Sequence, residues 1–118
     1  MGKTTVYILS ILNQMGSDPK GLLALVIAHT RELANQIYKE FMRFSKYFAN
    51  INSKIAIGGI SLKNQIEEMK KNDFNILIGT PGRLLELDNM KIINLLDIKY
   101  FVIDECDKIL SALGSCFI

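Results

Sequence analysis

Short apolar runs alternate with amphipathic helical patterns along the whole chain of 118 residues, and this alternation limits the folds open to it. Each run ends in a turn signal, as expected of a buried strand. The predicted strands are residues 22–28, 54–57, 75–79 and Tyr100–Ile103. Strands that alternate with helices form βαβ units. The sequence therefore predicts an α/β fold, a parallel sheet with helices on both faces.

Five helices are expected around these strands. Residues 6–12 are apolar almost all round, which predicts a helix buried centrally in a larger domain. Thr30, Ser61 and Pro81 stand where the next three should begin, because Thr and Ser cap helices and proline tolerates the first turn. The inward residues are expected to be Leu33, Ile37, Phe41, Phe44 and Phe48, then Leu62, Ile66 and Met69. Residues 88–97 should be irregular, and the last helix should span about 105–113.

Charge, cysteine content and hydropathy indicate the cellular compartment but do not decide the function. The net charge of +2 is too mild to argue for nucleic acid by itself. Cys106 and Cys116 form no Cys-x-x-Cys pair, which favours a reducing, intracellular compartment. No apolar run approaches the roughly 20 residues of a membrane span. Nor does a signal-peptide pattern open the chain.

Acidic residues follow the fourth predicted strand at Asp104, Glu105 and Asp107. In an open parallel sheet ligands bind at the carboxyl ends of strands, and carboxylates there suit Mg²⁺. The alternative is an acidic first helical turn. Gly2-Lys3-Thr4 is the second half of a phosphate-binding loop, weak evidence alone because the leading glycine is absent. Together the two stretches favour a site with a lysine and a hydroxyl for phosphate, a carboxylate for the metal and a second carboxylate to activate water.

The turns after the first three predicted strands share hydroxyls, glycines and arginines. Helix N-termini and arginines bind phosphates, and several such turns at one sheet edge can follow a nucleic-acid backbone. Ordinary capping explains any one of them, but not all three in this order. The turns are Thr30-Arg31-Glu32, Gly58-Gly59 and Thr80-Pro81-Gly82-Arg83.

In their order and spacing, these stretches resemble the first RecA-like domain of the DEAD-box RNA helicases. Gly2-Lys3-Thr4 is similar to the end of motif I, and Asp104-Glu105-Cys106-Asp107 to motif II. Thr30-Arg31-Glu32-Leu33-Ala34 is similar to motif Ia, Gly58-Gly59 to the double-glycine motif, and Thr80-Pro81-Gly82-Arg83 to motif Ib. Cysteine at position 106 and histidine at position 29 look like the Asp-Glu-Cys-Asp helicases of spliceosome assembly and mRNA export.

The resemblance implies ATP-dependent RNA unwinding or remodelling, with ATP and Mg²⁺ as cofactors. Asp104 and Thr4 would hold the metal, and Glu105 would orient or deprotonate the attacking water. Gly2, Lys3 and Thr4 would meet the phosphates, and Asp107 would link the nucleotide to the rest of the enzyme. Catalysis would therefore depend on Lys3, Asp104 and Glu105. The implied RNA-binding residues are Thr30, Arg31, Gly59, Thr80, Gly82 and Arg83.

Some family features have no counterpart in this sequence: the first strand, the Ser-Ala-Thr motif and the second domain. Residues 1–118 are therefore expected to be a truncated first RecA-like domain that hydrolyses ATP far below a family rate. One alternative is a non-catalytic fragment that binds only RNA or partner proteins, and another is a P-loop ATPase without RNA. The expected partners are RNA and splicing or export proteins, with no membrane, and the expected location is the nucleus, with the cytoplasm as a second location.

The resemblance also implies a strand order. Tyr100–Ile103 should lie beside the strand of motif Ia and leave its other edge open. Open apolar edges pair with other chains. We therefore expect self-association, which the Val102→Lys change should reduce.

Overall fold

The computed structural model describes residues 2–16, 19–48, 50–71, 73–96 and 98–103, with the backbone alone for residues 2–5. Helices and strands alternate in the predicted order. The helices are α1 (Gly2–Gln14), α2 (Arg31–Ser45), α3 (Leu62–Lys70) and α4 (Pro81–Asn89). The strands are β1 (Ala24–Ile27), β2 (Ser53–Ala56), β3 (Ile76–Gly79) and β4 (Tyr100–Ile103). The helix predicted over residues 105–113 lies outside the described residues.

The four strands form one parallel sheet in the order β2-β3-β1-β4. Ala24 of β1 lies opposite Ile76 of β3 on one side and Tyr100 of β4 on the other. Ser53 of β2 lies opposite Ile76. Because the strands are parallel and start in register, the turns that follow them all emerge at the carboxyl edge of the sheet. The predicted place of β4 beside β1 is confirmed.

Helices cover both faces of the sheet, as predicted. On one face, Ile8 of α1 and Phe41 of α2 share a buried cluster with Val26. On the other face, Leu87 of α4 shares a second cluster with Leu77. The central strands β1 and β3 are buried along their whole length. This explains why their sequences are continuous apolar runs rather than alternating ones.

The structure corrects several details. Helix α1 is not buried all round, since Val6 is 69% exposed while Ile8 is fully buried. It packs on the sheet through one side only. Strand β2 begins one residue before its predicted start. Helix α4 continues to Asn89, into the stretch predicted to be irregular. Within the described residues, no helix has the length and apolar character needed to cross a bilayer.

Strand β4 has the predicted bounds. The prediction from its apolar pattern that it is buried is wrong, whereas the open edge implied by the resemblance is present among the described residues. Phe101 is 48% exposed, and its three neighbours in the strand are half-buried. Among the described residues β4 pairs only with β1, so one of its edges and part of each face lack cover. An apolar sequence predicts a strand well but does not reveal how many neighbours it has.

Candidate functional site

Turns that follow three different strands meet in one cleft at the carboxyl edge of the sheet. The cleft has a volume of about 550 Å³. Five of the six residues implied to bind RNA line it, and the sixth, Gly59, adjoins lining residue Gly58. The structure therefore brings together turns that are far apart in sequence. The lining residues are His29, Thr30, Arg31, Gly58, Thr80, Gly82, Arg83 and Glu86.

Backbone hydrogen bonds at the ends of the strands hold the turns side by side. The Ala28 N–H donates to the Gly79 carbonyl at 2.9 Å. The Thr80 N–H donates to the Ala56 carbonyl at 3.1 Å. These two bonds tie the ends of β1 and β2 to the end of β3, so sheet pairing itself sets the spacing of the turns.

Two helix N-termini open on the cleft, those of α2 and α4. Thr30 caps α2, because its Oγ1 accepts a hydrogen bond from the Leu33 N–H at 3.0 Å. Thr80 occupies the cap position of α4 but makes no capping bond with its hydroxyl, and Pro81 follows it. The first N–H groups of a helix have no intrahelical acceptors and carry partial positive charge. This end of each helix suits an anion.

Arg31 lies across the loop that follows β2. Its Nη1 donates a weak hydrogen bond to the Gly58 carbonyl at 3.4 Å. Gly59 has φ +85, a conformation that side chains rarely adopt, and a Cβ there would collide with the Arg31 guanidinium. Glycine is therefore needed at position 59 both for the backbone and for the approach of Arg31.

Arg83 is held more tightly than a solvated cation would be. Its side chain is 12% exposed, and its Nε donates to Glu86 Oε1 at 3.0 Å. Nη1 donates to the Ile60 carbonyl at 3.1 Å and to Gln65 Oε1 at 2.6 Å. The predicted site residue is thus present at the cleft, but it also joins α4 to α3 and to the loop after β2.

Sequence reasoning missed Gln65 and Glu86. Gln65 is 4% exposed, and its Nε2 donates to the Ile57 carbonyl at 3.1 Å. A signal was available, since Gln65 lies four positions before Met69 and shares its inward side. A buried carboxamide needs partners, so this position pointed to a polar network inside the helix layer.

Side chains from three elements hold the loop of residues 57–60 by its carbonyl groups. The donors are Gln65 to Ile57, Arg31 to Gly58 and Arg83 to Ile60. Within the part of the chain that the structure describes, the Gly58 and Gly59 N–H groups have no hydrogen-bond acceptor. Three carbonyl groups of this loop are therefore satisfied inside the protein.

Residues implied to bind ATP lie at the edge of what the structure describes. Gly2, Lys3 and Thr4 form the first turn of α1, described by its backbone alone. Asp104, Glu105 and Asp107 lie outside the described residues, directly after β4. Among the described residues, no cluster of His, Cys, Asp or Glu could hold a metal ion. The predicted Mg²⁺ ligands Thr4 and Asp104 thus remain predictions.

The direction of α1 fits a phosphate site beside β4. The Tyr100 hydroxyl lies 3.3 Å from the Gln14 carbonyl, so the end of α1 lies near the start of β4. Ile8 and Leu12, earlier in the helix, pack in the cluster on the sheet, so α1 lies along the sheet with its first turn away from the start of β4. Its first turn contains no acidic residue. The free N–H groups of such a helix N-terminus donate hydrogen bonds to phosphate oxygens.

Comparison with known proteins agrees with this arrangement. The model of the DEAD/DEAH box helicase family matches residues 1–116. The chain belongs to the DEAD/DEAH box helicases. Two relatives named ATP-dependent RNA helicase SUB2, from Scheffersomyces stipitis and Meyerozyma guilliermondii, are each 47% identical to it over 115 residues. The match covers 96% of this chain but 27% of each relative.

A solved helicase structure shows the same fold. The crystal structure of the yeast DEAD-box splicing factor Prp28 superposes with a TM-score of 0.81 and 31% sequence identity, over 96% of this chain and 28% of that one. This likeness confirms the predicted fold class. The family explains why the three cleft turns and the α1 start occur in one chain.

Proposed function

We propose that this chain is part of an ATP-dependent RNA helicase and that its cleft binds the sugar–phosphate backbone of RNA. The relatives named above support the helicase activity, and Prp28 is named as a splicing factor. Together with the subgroup features at positions 29 and 106, they favour a nuclear role in pre-mRNA splicing and mRNA export, with splicing or export proteins as partners. In this proposal residues 1–118 are a portion of the first RecA-like domain.

The convergence of the turns in one cleft carries the proposal. Helix N-termini, the loop N–H groups and two arginines are all donors, and Glu86, the acidic side chain of the lining, is engaged by Arg83. Such a surface suits the repeated phosphates of a nucleic-acid strand. Contacts of this kind position RNA but carry little sequence information. Binding should therefore depend on salt and hardly on base sequence.

The proposed nucleotide site also lies at the carboxyl edge of the sheet, but beside β4 rather than at the ends of β1, β2 and β3. Gly2, Lys3 and Thr4 would hold the phosphates, with Thr4 and Asp104 on Mg²⁺. Bound ATP·Mg²⁺ supplies a phosphoryl group that water attacks. Glu105 would orient or deprotonate that water. Asp107 would connect this site to the RNA cleft.

Arginine variants test the RNA half directly. The chain has three arginines, and Arg43 offers a matched control because it pairs with Glu40 at 3.6 Å and does not line the cleft. Anisotropy of labelled single-stranded RNA should show affinity about ten-fold weaker for Arg83→Ala, as expected for a lost charged hydrogen bond. Arg31→Ala should weaken binding as well. Each variant should reduce the salt slope by about 0.7.

The Arg43→Ala control shows whether a loss of affinity is specific to the cleft. Arg43→Ala should bind nearly as the wild type does, and all RNA sequences should lose affinity together. If Arg43→Ala and Arg83→Ala weakened binding equally, the cleft would not be the RNA site. If Arg83→Ala altered sequence preference and left the salt slope unchanged, the assignment to the backbone would be wrong.

Phosphate release tests the nucleotide half. We expect the purified chain to hydrolyse ATP at least roughly 10³-fold more slowly than related complete enzymes, which use an added arginine on the γ-phosphate. Robust RNA-stimulated release that Glu105→Gln abolishes would contradict this expectation. It would also favour the hypothesis that the chain is an active ATPase over the hypothesis that it only binds RNA.

A further inference from the structure

The side chain of Gln65 connects the two halves of the cleft. Its carboxamide donates to the Ile57 carbonyl, at the start of the loop after β2. The same group accepts from Arg83 Nη1, on α4. Both ends of a buried amide are therefore satisfied, which its 4% exposure requires.

The acceptors around Arg83 define the plane of its guanidinium. Glu86 holds Nε from within α4, and Gln65 holds Nη1 from α3. The Ile60 carbonyl accepts from Nη1 as well, at 3.1 Å. Because the N–H bonds of a guanidinium lie in its plane, these three acceptors together restrict both its position and its tilt. Arginine otherwise loses much rotamer freedom on ordering. A guanidinium that is already oriented binds phosphate without that cost.

We propose that Gln65 is a positioning residue, which orients Arg83 and the loop of residues 57–60 together so that RNA meets a preformed cleft. This inference rests on the proposed function. Gln65 itself does not line the cleft, so it acts through Arg83 and the loop. A purely stabilising role would instead affect folding without affecting how Arg83 meets phosphate.

Two substitutions separate the functions of the carboxamide. Gln65→Glu keeps an acceptor for Arg83 but loses the donor to Ile57. Gln65→Met has a similar length and loses both. Met69→Ala is the control, because Met69 is buried one turn further along α3 and belongs to the apolar cluster on that face. It should lower stability without removing a hydrogen bond to the cleft.

RNA binding by the whole chain gives the first measurement. Gln65→Met should weaken the affinity for labelled single-stranded RNA about ten-fold, as Arg83→Ala does, and reduce the salt slope similarly. The double variant should bind within about two-fold of Arg83→Ala alone, because coupled changes are not additive. Met69→Ala should leave the salt slope unchanged. Full multiplication of the two single losses would overturn the proposal.

Nuclear magnetic resonance of the arginine side chains gives a measurement that needs no RNA. With three arginines in the chain, the Arg83 signals can be assigned by Arg→Lys variants. Restricted rotation should give separate signals for the Arg83 guanidinium nitrogens in the wild type and in Gln65→Glu. Gln65→Met should average them. If Gln65→Met kept them separate, Gln65 would not position Arg83.

The two measurements keep the proposals apart. A wild-type chain that binds no RNA would defeat the proposed function, while the Arg83 signals would still decide what Gln65 does. RNA binding by the wild type with no coupling between Gln65 and Arg83 would defeat the positioning role alone.

Discussion

The two edges of the described sheet differ in kind, although both strands pair on one side only. Strand β2, at one edge, has a lysine in its second position and a serine in its first. Strand β4, at the other edge, consists of Tyr, Phe, Val and Ile. Charged side chains on an edge strand discourage pairing with another chain, and a long apolar edge invites it.

Neighbouring elements hold the polar side chains of the β2 edge in place. Lys54 Nζ donates to the Glu68 carbonyl at 2.7 Å, pairs with Asp73 at 2.8 Å and lies 5.4 Å from the Phe74 ring centre. Only 16% of its side chain is exposed. The β2 edge is therefore protected against pairing with another chain by its own lysine. Nothing comparable protects β4 within the described residues, where Phe101 is 48% exposed.

With no charged or polar residue other than the tyrosine hydroxyl, β4 has the sequence of a strand with neighbours on both sides. The chain spans about 27% of the length of the SUB2 relatives. We infer that the lysine of β2 adapts that edge to solvent, whereas the apolar edge of β4 is suited to pairing with a further strand. The predictions below test this inference at each edge.

The close approach of β2 to its neighbour β3 depends on Gly79, and the largest effect is expected there. A Cβ at Gly79 would lie 2.6 Å from the Ala56 carbonyl oxygen and 2.8 Å from Leu84. The carbonyl cannot withdraw easily because it accepts the Thr80 N–H, and Leu84 is buried in the cluster on that face. Gly79→Ala should lower the free energy of unfolding by about 1–3 kcal/mol, measured by urea denaturation.

Gly58→Ala is the matched control, because a Cβ there meets nothing within 4 Å and its φ is not positive. It should change the free energy of unfolding by less than about 0.5 kcal/mol. Equal losses for the two alanine variants would mean that β2 is not locked to β3 in the way the structure shows.

An intermediate effect is expected at the β4 edge. Val102→Lys should reduce self-association, but Val102 packs against the cluster shared by α1 and α2, so its replacement also costs stability. Phe101→Lys is the cleaner change because that side chain is already half in solvent. At matched concentration, light scattering should show a larger mass for the wild type than for either variant. A wild type that stays monomeric at high concentration would contradict the open edge.

Local signals in the sequence predicted most of the fold and the turns of the cleft. Thr30, Ser61 and Pro81 mark helix starts within one residue, because capping and proline chemistry act locally. The local pattern predicted Val6 and Phe101 to be buried, and only the strand order implied by the resemblance pointed to an open edge at β4, because exposure depends on which elements lie alongside. The spacing of Gln65 from Met69 marked it as inward, but its partners Ile57 and Arg83 are brought to it by the fold.

The smallest effect is expected at Lys54, the charged residue of the β2 edge. The hydrogen bond from Lys54 lowers the pKa of the Asp73 carboxyl, and Lys71 and then Lys54 lower the pKa of Glu68. A carboxyl group whose pKa is lower in the folded than in the unfolded state stabilises the fold at any pH above its unfolded-state pKa. This stabilisation is lost as the pH falls through the folded-state pKa.

Lys54→Met should therefore lower the midpoint of thermal unfolding slightly at pH 7, by less than Gly79→Ala does. The difference from wild type should shrink as pH falls below about 4, the ordinary range of carboxyl groups. Lys63→Met is the control, because Lys63 is exposed on α3 and has no ion pair among the described residues. A gap for Lys54→Met that stayed constant down to acid pH would show that the lysine protects the β2 edge through packing on Phe74 rather than through its carboxylate partners.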